Sequence, residues 1–195
     1  MKEYVYPVRA VFASGDGTGK ELVECGSCVA VTHRGGVVFI TAAHVVEPRG
    51  RLKELSVLLD GNERGATVEK VESGLDAAVL RVPAYAGPGM RLAEHEARVH
   101  DRVFIFGYPL KYAGTALPRL IATGGRVVRN HHRHEGIRQA VLQVAGGSHF
   151  GGSGGAVVDA DGGLLGMVFA GQFVAGEATH VSAIPSAALK QLLDR

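Results

Sequence analysis

Short apolar runs, separated by turn signals every 8 to 15 residues, set the pattern of this chain. They fall at residues 37–40, 56–59, 77–80, 103–106, 140–144, 156–158 and 164–168. Each is rich in β-branched or aromatic residues and too short for a free-standing helix. Asp60-Gly61 and Asp161-Gly162 read as hairpin-type turns between such runs. The spacing predicts an all-β chain, an antiparallel sandwich or barrel, and not an alternating βαβ protein. One segment reads as helix. Ser186 can cap it, and Leu189, Leu192 and Leu193 share one face. It is expected to pack on the outside of a second lobe.

Composition narrows the class. With 195 residues, the chain suits a single domain or two lobes of about 100 residues each. Hydrophobic residues make up 46 %, which excludes disorder although 28 residues are glycine. Such a glycine count points to many tight turns or to a site built from backbone. The net charge of +2 and the lack of a long basic run exclude nucleic acid as an expected partner. No run approaches the roughly 18 apolar residues of a membrane span. The N-terminus lacks a signal-peptide core, so a cytoplasmic location is expected. Cys25 and Cys28 are the two cysteines, too few for a disulfide framework. A zinc site would need two further ligands, which His131, His132 and His134 could supply in principle. No other spacing supports a metal, so the cysteines read as unlinked thiols, and no metal or cofactor is expected. The run from Ser14 to Lys20 superficially suggests a phosphate loop but fails the spacing and reads as an early hairpin.

Three strings carry chemistry: Thr41-Ala42-Ala43-His44-Val45-Val46, Asp76-Ala77-Ala78-Val79-Leu80, and Gly151-Gly152-Ser153-Gly154-Gly155. A serine hydroxyl needs a neighbouring base before it can attack a carbonyl. Histidine suits that task near neutral pH. A carboxylate fixes the imidazole tautomer, and backbone N–H groups hold the developing oxyanion. Gly151 and Ser153 are the expected donors, with Gly152 between them. Taken singly, each string has an ordinary reading: a polar histidine after a strand, a turn aspartate, a flexible glycine loop. Taken together, they follow the order His, Asp, Ser at the ends of predicted strands.

On these strings the chain resembles the trypsin-like serine proteases of the chymotrypsin fold, and within them the HtrA/Deg-type protease domain. Gly26-Ser27-Cys28, Val103 to Pro109, Asp159 to Met167 and Ser182-Ala183-Ile184-Pro185 extend the resemblance over nearly the whole chain. The resemblance implies two antiparallel six-stranded β-barrels with a short C-terminal helix. The whole of 1–195 would be one peptidase domain. Its first barrel, about 1–90, would carry His44 and Asp76, and its second, 91–195, would carry Ser153. The implied activity is that of a serine endopeptidase acting on polypeptides through an acyl-enzyme, without cofactor.

Departures from the pattern also have implications. Gly152 stands where relatives carry Asp or Asn, so zymogen activation through a freed N-terminal amine is not expected. It also predicts an oxyanion loop that settles only when substrate binds. No PDZ domain is expected after the last helix. By resemblance, Gly147, Ser148, His149 and Phe150 line the primary pocket, and Val168, Phe169, Ala170 and Gly171 pair with an extended substrate. No carboxylate lies in the first stretch and Val168 is not histidine, so small or medium apolar residues are expected before the scissile bond. His180 could reach the same pocket. Arg129 to Glu135 reads as a solvated hairpin tip overhanging the active-site face, alternatively as a contact for an acidic partner. A non-catalytic peptide-binding module and a protease acting only with an effector partner are the competing readings.

Overall fold

The structure, a computed structural model, describes residues 3–14, 19–47, 50–108, 119–139, 141–146, 152–174 and 177–195. The first half comprises β1 (Val5–Ser14), β2 (Glu21–His33), β3 (Gly36–Thr41), α1 (Ala43–Val46), β4 (Gly50–Leu59), β5 (Asn62–Gly65), β6 (Thr67–Glu72) and β7 (Ala77–Arg81). Its strands form one antiparallel sheet in the order β5-β4-β1-β2-β3-β7-β6. The two end strands are consecutive in the chain, with Ala66 alone between them. Asn62 to Glu72 therefore acts as one bent ribbon, pairing with β4 by one half and β7 by the other. The sheet thus curls into a six-membered barrel-like half. The second half comprises β8 (Arg102–Gly107), β9 (Ile121–His132), β10 (Val141–Ala145), β11 (Ala156–Val158), β12 (Leu164–Val174), β13 (Glu177–Pro185) and α2 (Ser186–Asp194). Its strands close a barrel in the order β10-β13-β12-β11-β8-β9.

Local chemistry accounts for the turns. Asp60 and Gly61 both have positive φ, 50° and 80°, and join Leu59 to Asn62 as a two-residue hairpin. Between β1 and β2, Ser14 N–H donates to the Lys20 carbonyl at 2.9 Å, while residues 15–18, the body of the expected early hairpin, lie outside the described residues. In the Asp161-Gly162 turn, Asp159 Oδ1 accepts from Asp161 N–H and Gly163 N–H.

Two apolar clusters result. One fills the first barrel around Phe12, Phe39, Ile40 and Leu80 and runs on through Met167 and Phe169 to Leu189 and Leu192. The other fills the second barrel around Val144, Val168, Val181 and Ala183. Helix α2 therefore does more than cover the second lobe. It joins the core that both lobes share, and Lys70 of β6 donates to its Leu192 carbonyl at 2.9 Å. The cap differs from expectation: Pro185 is the N-cap, and Ser186 is the first helical residue, buried, with no side-chain capping bond. The fixed φ of proline in extended backbone brings the chain into the helix one residue earlier.

Candidate active site

His44 lies in the single turn α1, immediately after β3. Val45 and Val46 are buried in the first-barrel core, leaving His44 on the open side. Asp76 ends a tight turn before β7, in which Leu75 N–H and Asp76 N–H donate to the carbonyls of Glu72 and Ser73. Its φ of 51° is left-handed, a conformation that aspartate tolerates better than most residues. Ser73 Oγ donates to Glu47 Oε1 at 2.6 Å, tying this turn to the end of α1.

The turn presents both carboxylate oxygens to one residue. Asp76 Oδ1 accepts the His44 backbone N–H at 2.9 Å, and Oδ2 meets His44 Nδ1 at 2.7 Å. A carboxylate only accepts, so Nδ1 carries the proton and the Nε2 lone pair is left for a substrate-side proton. The histidine side chain is 44 % exposed and the aspartate 17 %. The imidazole thus faces solvent while the carboxylate bonded to it is shielded.

Ser153 comes from the second half, in the turn before β11, yet the first half holds it. β3 ends at Thr41, so in the register Val29↔Ile40 residue Ser27 has outrun its partner strand. Ser27 N–H donates to the Ser153 carbonyl at 2.8 Å, and the Ser27 carbonyl accepts from Thr41 Oγ1 at 2.7 Å. Ser27 Oγ in turn accepts the Tyr108 N–H at 2.8 Å. The approach is close: a Cβ on Gly26 would lie 2.9 Å from the Ser153 carbonyl oxygen. A Cβ on Gly154 would lie 1.9 Å from the Ser27 carbonyl oxygen, and Gly154 has φ +84°. The strings Gly26-Ser27-Cys28, Gly107-Tyr108 and Gly152 to Gly155 therefore meet at one place. Ser153 Oγ donates to the Phe169 carbonyl at 3.4 Å. Among the described residues no hydrogen bond joins it to His44.

The segment Val168–Gly171 runs away from this turn. Val168 exchanges backbone hydrogen bonds with Gly154 and Gly155, at 2.7 and 2.8 Å. Beyond Met167 the β11 ladder ends, and among the described residues β12 pairs only with β13. Among the described residues no strand pairs with the other edge of Phe169–Gly171. Val168 belongs to the apolar cluster with Val181 and Ala183. His180 alternates with these residues along β13 and places its Nδ1 3.2 Å from Thr179 Oγ1. It therefore sits on the opposite face from Val168's cluster. Gly147, Ser148, His149, Phe150 and Gly151 lie outside the described residues.

Of the run Arg129 to Glu135, residues 129–132 end strand β9, and Arg129, His131, Arg133 and Glu135 are exposed as expected, but His134 turns inward. His134 packs edge-on against Phe169, ring centroids 4.9 Å apart at 79°. Ile137 packs on the shared core, and Arg138 N–H donates to the Gly74 carbonyl at 2.9 Å. These contacts hold the loop down because it spans the junction of the two lobes. Cys25 and Cys28 are both buried on β2, three positions apart and so on opposite faces. Burial pushes both thiols up. Among the described residues no cluster of three or more His, Cys, Asp or Glu could hold a metal.

Two barrel-like halves, the first with a bonded histidine–aspartate pair and the second with a serine among glycines, are the architecture of the chymotrypsin-like class. The profile of the Trypsin-like peptidase domain family matches residues 26–167, and the chain belongs to that family of serine endopeptidases. It is 29 % identical over 154 residues to the mitochondrial serine protease HTRA2 of Drosophila willistoni. The match covers 77 % of this chain and 34 % of that protein, so the chain spans about a third of the length of its curated relatives. Among solved structures, the HtrA-type protease AlgW S227A with a tripeptide superposes with a TM-score of 0.80 at 22 % identity, covering 99 % of this chain and 60 % of that one. The active form of the Rv3671c protease from M. tuberculosis gives 0.76 at 21 %, covering 99 % and 80 %. At these identities the likeness is one of fold.

Proposed function

We propose that the chain hydrolyses peptide bonds through a His44–Asp76–Ser153 triad and an acyl-enzyme. The observation that carries this reading is the 2.7 Å contact between His44 Nδ1 and Asp76 Oδ2, which leaves Nε2 as a base. Ser153 attacks the scissile carbonyl; His44 takes its proton and later gives it to the leaving amine; Asp76 orients His44 and stabilises its charged form. The oxyanion is held by the backbone N–H groups of Gly151 and Ser153, with Gly152 between them. The substrate lies as an added strand along Phe169–Gly171. The lack of a carboxylate among residues 147–150 and the apolar Val168 support a small or medium apolar side chain before the scissile bond. The turn of Ser153 Oγ toward Phe169 fits a resting site, because catalytic hydrogen bonds commonly tighten only when substrate binds.

Labelling with a fluorophosphonate probe, followed by cleavage of a diverse peptide library, tests the reading. Wild-type protein is expected to label covalently at Ser153 and to cut the library. Ser153→Ala should do neither while keeping its melting temperature. Well-folded wild-type protein that stays unlabelled would favour the non-catalytic peptide-binding module. Strong labelling without cleavage would favour a protease that needs an effector partner.

A further inference from the structure

Phe169, whose carbonyl takes the Ser153 hydroxyl, is the extra residue of a β-bulge. In the β12–β13 register Val168 faces Ala183 and Ala170 faces Ser182, which leaves Phe169 without an opposite number. A bulged residue is not placed by the ladder, and its orientation depends on what its side chain packs against. The Phe169 ring is buried in the core shared by the lobes, and its edge contact is His134. His134 is itself fixed. Its Nδ1–H donates to the Glu135 carbonyl at 2.9 Å. Ile137 N–H closes a turn onto the His134 carbonyl at 3.2 Å, with Gly136 at φ +80° in the position that a type II turn requires.

The same loop is anchored on the other side of the cleft. Arg138 N–H donates to Gly74, two residues before Asp76. The Arg138 side chain lies over Gly74, where an added Cβ would meet its Cδ and Nε at 2.9 Å. One short loop of the second half therefore touches both the turn that aims Asp76 and the bulge that receives Ser153.

We propose that His134 is a positioning residue: by bracing the Phe169 ring it sets the Phe169 carbonyl, and so the placement of Ser153 and of the substrate strand beside it. This rests on the peptidase reading above. His134 touches no reacting atom and exchanges no proton in the reaction; its contribution is shape.

The test compares His134→Ala with His134→Phe, which restores an aromatic edge without imidazole chemistry. Three quantities are read: the rate of fluorophosphonate labelling, kcat and KM on a peptide cleaved by the wild type, and the melting temperature. His134→Ala is expected to lower the labelling rate and kcat about 10- to 100-fold, the scale of a small misplacement of reacting groups. His134→Phe should return both to within about threefold of wild type. Labelling of His134→Ala at the wild-type rate overturns the proposal. So does a His134→Phe variant as slow as the alanine variant, because the brace would then not be the cause. If His134→Ala melts too low to assay, His134→Phe against His134→Gln, which fills space without a ring, decides the same point. A wild type that fails to label removes the peptidase reading and the proposal together, whereas a labelled wild type with indifferent variants removes the proposal alone.

Discussion

His44 and Asp76 lie 32 positions apart within one curled sheet and meet side chain to side chain, with the His44 backbone N–H as a second bond. Ser153 belongs to the other barrel and is placed by backbone: its carbonyl on Ser27 N–H, and Gly154 N–H on the Val168 carbonyl. The proposed base is thus built from side-chain chemistry and the proposed nucleophile from close backbone approach. The first arrangement can lose a functional group and keep its shape. The second hangs chiefly on backbone groups, braced by the Thr41 and Ser27 hydroxyls, and has no room to gain an atom.

That contrast sets the order of expected effects. The largest should come from Gly154→Ala. Its new methyl would fall 1.9 Å from the Ser27 carbonyl oxygen and 2.5 Å from Thr41 Oγ1, at a φ of +84°. The obstacle is backbone, which cannot swing aside as a long side chain would. A loss of about 3 kcal/mol or more, or roughly 6–12 °C in melting temperature, is expected together with loss of probe labelling. Thermal unfolding and labelling of the same sample check this. A variant that labels and melts like wild type would show that the serine turn is not held by close approach.

Asp76→Asn attacks the other half. The amide oxygen can still accept the His44 backbone N–H, so the fold should survive with little change in melting temperature. The amide NH2 then faces His44 Nδ1 and forces the proton to Nε2, which removes the base. A fall in kcat of about 10⁴-fold is expected, from the wrong tautomer alone. Activity within tenfold of wild type would mean that Asp76 does not set the tautomer.

The contrast also governs what the sequence discloses. The three strings proposed to be catalytic are local: a histidine at a strand end, an acid before an apolar run, and a serine among glycines. Each announces itself within about six positions. The hairpin at Asp60-Gly61 is legible for the same reason, since its two residues dictate their own dihedrals. Family resemblance marks Gly26-Ser27 and Gly107-Tyr108 as strings of interest, but their convergence with Gly154 is not legible, because nothing local says that Ser27 outruns β3. The polarity of Arg129 to Glu135 suggests a solvated tip and does not show that His134 and the following Arg138 are held by distant residues. Those partners, Phe169 and Gly74, lie 35 and 64 positions away. The helix begins at Ser186 with Pro185 as its cap, one residue before the sequence suggests, since a serine before an apolar run signals a cap more strongly than the proline ahead of it.

The smallest effect should come from the residue that serves both halves. Thr41 ends β3 three positions before His44, and its hydroxyl is buried and donates to the Ser27 carbonyl. That carbonyl belongs to the same residue whose N–H holds Ser153. Thr41→Val keeps the shape and removes the donor. It should cost about 1–2 kcal/mol, or roughly 2–8 °C in melting temperature. Labelling should fall less than about tenfold, since a bond of that size can shift the serine turn only partly. Combined with Ser153→Ala, the stability change should be additive, because Ser153 is held by its carbonyl and not by its hydroxyl. An unchanged melting temperature for Thr41→Val, or strong coupling to Ser153→Ala, would mean that the hydroxyl of Ser153 takes part in the pin after all. The separation between a side-chain half and a backbone half would then fail at the one residue that joins them.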